Sequence, residues 1–199
     1  MLQIMVDNTE LKLEISRMRT MAELVEYIKS SIDPDTIILS LTRDELPLSD
    51  NDWSVPLTSF GESKVEVMTG SKMEFVQDRL KMSESLVDQI YESFTDLSKL
   101  FKHGMEDQAH EPFAHSLNDL NAFVGWLYSV FSVDAELFGD EIIEFEGIVD
   151  DLKKICVDIQ RYQMQQAWWN IGDVLDLKVI SNLEQMKELS NRSLGKLLS

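Results

Sequence analysis

The 199-residue chain is poor in cysteine, glycine, proline and positive charge, with 1 Cys, 8 Gly, 4 Pro and 18 Lys plus Arg. A lone Cys156 excludes a disulfide framework and any zinc site built on paired CxxC motifs, and it fits a reducing, cytoplasmic compartment. Glycines spread singly leave no phosphate-cradling loop, and no Gly-x-Ser-x-Gly nucleophile turn occurs. The 36 acidic residues give a formal net charge of -18. Nucleic acid and anionic membrane surfaces repel such a chain, so neither is an expected partner. No apolar run approaches the ~20 residues that cross a bilayer, and the N-terminus lacks a basic segment followed by an apolar core.

What is present is an ordinary globular composition, 44% hydrophobic and 27% charged. Three of the four prolines (Pro34, Pro47, Pro56) precede Gly70-Ser71, and none follows Pro112. This change of character sets the expected domains at 1–70 and 71–199. The first carries 6 basic and 13 acidic residues, the second 12 and 23, so the negative charge reads as a property of the whole solvated surface.

Strand periodicity marks the first part. Leu2, Ile4 and Val6 alternate with Gln3, Met5 and Asp7; after an Asp7-Asn8-Thr9 turn, Leu11, Leu13 and Ile15 alternate with Lys12, Glu14 and Ser16, which predicts a hairpin. Thr20-Met21-Ala22-Glu23 is a capping box opening a helix with Met21, Leu24, Val25, Ile28 and Ile32 on one stripe, stopped by Asp33-Pro34. Ile37, Leu39 and Leu41 alternate in a further strand, turns follow around Asp44-Glu45 and at 49–52, and Val65 and Val67 mark the last strand. On these features residues 1–69 resemble the ubiquitin-like β-grasp fold. Two departures separate the chain from ubiquitin-like modifiers: Gly70 is single and the chain continues past it, and Ser40 falls near the exposed aliphatic of ubiquitin's recognition patch. The resemblance implies the fold without conjugation chemistry.

The second part is helical. Ser71-Lys72-Met73-Glu74 is another capping box, followed by Met73, Val76, Leu80, Ser83, Val87, Ile90, Phe94, Leu97 and Phe101 at alternating spacings of three and four. Phe113, Leu117, Leu120, Val124, Leu127 and Phe131 predict a second helix, and Phe145, Ile148, Leu152, Ile155, Ile159 and Tyr162 a third. Trp168, Ile171, Leu175, Val179, Leu183 and Met186 predict a fourth over about 166–191. The expected class is therefore α+β: a β-grasp domain followed by an antiparallel four-helix bundle. The terminal stretch from Trp168 through Asp176 to Leu183 is similar to uncharacterised bacterial helical proteins, a resemblance that implies a bacterial origin and supplies no activity.

Catalytic or metal chemistry finds little support. None of His103, His110 and His115 has a Glu three residues before it, as carboxylate-bridged metal helices require. Cys156 beside Ile155 reads as a small core hydrophobe, and Asp140-Glu141 and Asp150-Asp151 as solvated helix faces. No catalytic, cofactor or metal residue is assigned. At 100° per residue, Trp169, Asp173, Asp176 and Ile180 share a second face of the fourth helix. That face reads either as packing against a neighbouring element or as a partner-binding surface, an aromatic anchor rimmed by carboxylates. The apolar run from Phe123 to Phe131 reads as the deepest helix or as a self-association face giving a homodimer. The expected function is a non-enzymatic adaptor that binds a protein partner through the bundle. An acidic export or assembly chaperone for a helical client is the alternative, and a metal-binding bundle enzyme is the disfavoured rival.

Overall fold

Two reversals built from left-handed residue pairs organise the N-terminal strands. Val6 pairs with Thr9 across Asp7 and Asn8, whose φ angles are 48° and 62°. Arg43 pairs with Leu46 across Asp44 and Glu45, at 50° and 68°. Positive φ at both central residues gives the turn whose twist matches that of the flanking strands. The Asp44 carboxylate then accepts the Lys64 amide at 2.8 Å. That bond, with help from Ser63, holds its pKa below the usual carboxylate value.

A computed structural model describes residues 2–11, 18–33 and 35–198, and the chain divides into two units, Met1–Phe75 and Val76–Ser199. The first holds β1 (Gln3–Val6), β2 (Thr9–Glu10), α1 (Met21–Ser31), β3 (Thr36–Arg43), β4 (Leu46–Pro47) and β5 (Lys64–Ser71). Its mixed sheet has the order β2-β1-β5-β3-β4, with β1 parallel and β3 antiparallel to β5. The expected second strand through Leu13 and Ile15 lies outside the described residues. At the start of α1 the Thr20 hydroxyl accepts the Glu23 amide at 3.4 Å, while the Glu23 carboxylate reaches back to the Arg19 amide at 2.7 Å. Met21, Leu24, Val25 and Ile28 of α1 close the core over Ile4, Val65 and Val67.

One alternation fails, for a local reason. Ile38 pairs with Thr69 and Ser40 with Met68, so Leu39 bulges out of the β3–β5 ladder. One extra residue inverts the pleat, and Ile38 and Leu41 pack on the core where Ile37, Leu39 and Leu41 were expected to share a face. Leu39 instead covers Gly70, where a Cβ would lie 2.5 Å from the leucine Cδ1.

The helical segments are α2 (Lys72–Lys102), α3 (Glu106–Ser132), α4 (Gly139–Met164), α5 (Trp168–Val174) and α6 (Ile180–Leu198). Ser71 and Glu74 cap α2 reciprocally, at 3.1 and 3.3 Å. The expected stripe on α2 is buried from Val76 to Phe101; Met73, its first member, is exposed. In the Val76–Ser199 unit, Phe131 of α3 meets Phe145 of α4 at 5.9 Å. Lys187 and Gln77 tie α6 to α2 in antiparallel sense through Asp88 and the Leu197 carbonyl. Arg192 and Lys196 tie α6 to Glu144 and Glu141 of α4 in the same sense. Glu141 is thus buried and paired, not the solvated helix start its sequence position implies.

The expected fourth helix is interrupted. Leu175–Val179 forms a π-helical turn between α5 and α6, closed by the Ile180 amide donating to the Leu175 carbonyl. The buried residues Ile171, Leu175, Val179 and Leu183 follow one another at steps of four. In an α-helix each such step overshoots by about 40°, so the stripe would wind off the core; the wider turn brings it back. Just before it, α5 lies on α2 by its backbone. The Ser98 hydroxyl donates to the Gly172 carbonyl at 2.9 Å. A Cβ on Gly172 would fall 2.8 Å from the Ser98 carbonyl oxygen and 2.9 Å from Lys102 Cγ.

Gly172→Ala should therefore destabilise the protein by about 1–3 kcal/mol. Gly147, in α4 with open space around it, should gain roughly 0.5–1 kcal/mol on the same change. Urea unfolding of both variants checks the contrast in sign.

Candidate functional site

The end of the helical unit is built by two matched chain reversals. Beyond α2, the Gly104 amide donates to the Phe101 carbonyl at 3.4 Å and the Met105 amide to the Leu100 carbonyl at 3.0 Å, with Gly104 at φ 70°. Beyond α4, the Gln166 and Ala167 amides donate to the Gln163 and Tyr162 carbonyls at 3.0 and 2.9 Å, with Gln166 at φ 54°. Both are Schellman-type helix stops. Glycine takes the left-handed position freely in the first, whereas an L-residue there costs about 1–2 kcal/mol. These turns and the first turn of α5 frame a hollow of about 370 Å³ lined by Gly104, Glu106, Gln166, Trp168, Trp169 and Asn170.

The two tryptophans part company here. Trp168 stacks on Phe101 at 6.2 Å and meets the His110 ring edge-on at 4.8 Å; Phe101 in turn meets Phe113 at 5.6 Å. Trp169, one residue on, is 57% exposed. Exposed Met105 and Met164 stand in the same two reversals. Neither belongs to a helical stripe, so periodicity gave no sign of them; the signal was their place beside the helix stops.

Of the face expected from Trp169, Asp173, Asp176 and Ile180, three members stay at the surface and one leaves it. Asp173 lies one turn from Trp169 on α5. Lys102 of α2 reaches Asp176 at 2.7 Å and Asp173 at 3.7 Å. Ile180, beyond the π-turn, is buried with 7% exposure. The extra residue in that turn carries it off the line a continuous α-helix would draw. The hydrogen bond to Asp176, reinforced by both negative charges, raises the Lys102 pKa above its ordinary 10.5.

The other candidates separate. His103 stands after α2, its ring Nδ1 2.7 Å from the Lys99 carbonyl, while His110 and His115 lie on α3. Among the described residues no group of three or more His, Cys, Asp or Glu side chains converges as metal ligands would. Cys156 is exposed on α4 and not in the core, and partial burial raises its thiol pKa, opposite to the shift that activates a nucleophile. Asp150 and Asp151 are exposed and pair with Lys153 and Lys154 on their own helix. The run from Phe123 to Phe131 buries Phe123, Leu127, Val130 and Phe131 but exposes Gly125, Tyr128 and Ser129, so α3 presents a face to solvent.

The Lys102 pair makes a pH prediction. A lysine whose pKa is raised by folding contributes stability that is fully present below the unfolded value and lost as pH rises through the folded one. Lys102→Met should cost under about 1 kcal/mol at neutral pH, because the partners are half-exposed. The gap to wild type should close as pH climbs past 10.5; chemical unfolding across an alkaline pH series measures it.

Compared with known proteins, the chain matches no family model, no curated protein and no solved structure.

Proposed function

We propose that the protein is a non-enzymatic adaptor that binds a protein partner through its helical part, using the surface centred on Trp169. The exposure of Trp169 carries this reading. A tryptophan 57% open to solvent, lining a 370 Å³ hollow one turn from Asp173, with Met105 and Met164 exposed in the two chain reversals, has the composition of an interface anchor. Glu106 in the wall of the hollow suits a basic or amphipathic segment, Asp173 and Asp176 being shared with Lys102, and the -18 charge would steer its approach. Ile180, being buried, takes no part in the exposed surface.

The strand order β2-β1-β5-β3-β4 with α1 against the core supports reading the first unit as a ubiquitin-like β-grasp domain. The antiparallel ties of α6 to α2 and α4 support reading the second as a four-helix bundle, with α5, the π-turn and α6 forming its last member. Among the described residues no helix is long and apolar enough to cross a membrane. The single cysteine fits a cytoplasmic setting.

Trp169→Ala should leave stability within about 0.5 kcal/mol of wild type, as exposed positions do. It should abolish co-purification of a specific partner from the source organism. Lost stability with unchanged partner recovery would return Trp169 to a packing role, and stoichiometric iron, manganese or zinc in the purified protein would overturn the adaptor reading.

A further inference from the structure

We infer that the groove between α2 and α3 receives an amphipathic helix of a partner protein that carries lysine and arginine beside its apolar face. The inference rests on the reading of the chain as a partner-binding protein, but it uses a different surface from the one around Trp169.

Shape is the first argument. A cavity of about 510 Å³ opens between the two helices. Buried Ile90 and Phe123 form its floor, and half-buried Leu86 and Trp126 its walls. Phe123 and Trp126 support one another, with ring centroids 5.8 Å apart. The lining runs from Leu86 to Ser93 on α2 and from Ser116 to Trp126 on α3. At 1.5 Å per residue that is a trough about 10–15 Å long. Two or three apolar side chains at helical spacing on one partner face fill a trough of that length, which is the helix-in-groove mode of recognition.

Charge selects the occupant. From His103 to Leu152 the chain has 50 consecutive residues without a lysine or arginine, and these include all of α3. On α2 the stretch 82–98 also has none. Acids flank the trough on both sides. Asp119 stands on the α3 lip. Gln89 on the α2 lip also borders a shallow patch that includes Glu84, Asp88 and Glu92, with Lys81 at its edge held by Asp78. Lys187 occupies Glu84 and Asp88, whereas Glu92 and Asp119 form no ion pair among the described residues. An apolar trough with uncompensated carboxylates on both sides complements a helix with an apolar stripe flanked by cations. A second copy of the chain would bring the same acids face to face, at a net charge of -18 each.

The test titrates a fluorescein-labelled helical peptide of about eighteen residues, leucines on one face and lysines on the other, with the full-length protein, read by anisotropy. Wild type should bind it, more weakly as salt rises. Ala122→Trp, which fills the trough, and the Glu92→Lys/Asp119→Lys pair should each weaken binding tenfold or more. All three positions are exposed, so the variants should melt as wild type does. Val157→Ala, exposed on α4 and away from both surfaces, should bind unchanged, and neither a scrambled peptide of equal composition nor a leucine–glutamate analogue should bind comparably. Equal binding of the scrambled peptide would overturn the inference by reducing it to bulk charge attraction, as would no binding by wild type or indifference to both groove variants. Loss of binding in Trp169→Ala alone would also overturn it, while leaving the partner-binding reading intact. Sedimentation that shows a wild-type dimer broken by Ala122→Trp would make a second copy the occupant, against the inference.

Discussion

The C-terminal part of the helical unit depends on a side chain that is not there. Because Gly172 has no Cβ, the backbone of α5 can lie against α2 and place its carbonyl on the Ser98 hydroxyl. That contact fixes the rotation of α5. Trp168 turns into the ring cluster with Phe101 and His110, Trp169 turns out, and Asp173 and Asp176 come within reach of Lys102. A bulkier residue at 172 would lift the helix and disturb all three placements together. The aromatic surface and its acidic edge are thus consequences of one close backbone approach.

The charge distribution has a similar logic. Lys102, Lys178, Lys187, Arg192 and Lys196 each hold an acid on another helical segment. Single exposed pairs contribute little to stability, but together they draw cations toward α2 and the C-terminal segment. What remains along α3 is negative or neutral. The even division of charge between the two parts of the sequence therefore conceals an uneven surface. The gap in lysine and arginine from His103 to Leu152 is legible along the chain, but which acids the remaining cations compensate is not, because those pairings lie 20 to 99 residues apart.

Much of the architecture was legible because it is local. The residues Thr20 to Glu23 and Ser71 to Glu74 announce helix starts through bonds made within four positions. The stripes on α2 and α4 follow from a repeat that one helix imposes by itself. Less legible were the features that depend on a partner. The bulge at Leu39 is set by its pairing with β5, and the burial of Glu141 by Lys196, 55 residues away. Cys156 stands next to a core position yet faces out, since neighbours on a helix point about 100° apart. At the candidate site, the shared face of Trp169, Asp173 and Asp176 followed from helical geometry; the departure of Ile180 did not, because the extra residue of the Leu175–Val179 turn comes before it. The clue was in the spacing: three successive steps of four would swing the stripe by about 120° on a continuous α-helix.

That spacing shows how the last helix absorbs a change of length. Taking one residue out of Leu175–Val179 would turn the steps of four, four and four into an alternation of fours and threes, the rhythm that α2 keeps throughout. The last helix can be viewed as a regular one into which a single residue was inserted, with the extra length absorbed as a widened turn instead of a shift of everything downstream. Such an insertion leaves the packing on either side in phase and changes only what the turn displays. Here it leaves Asp176 and Leu177 at the surface beside Trp169's helix, so a one-residue change in length gives a route to new surface chemistry without a new fold.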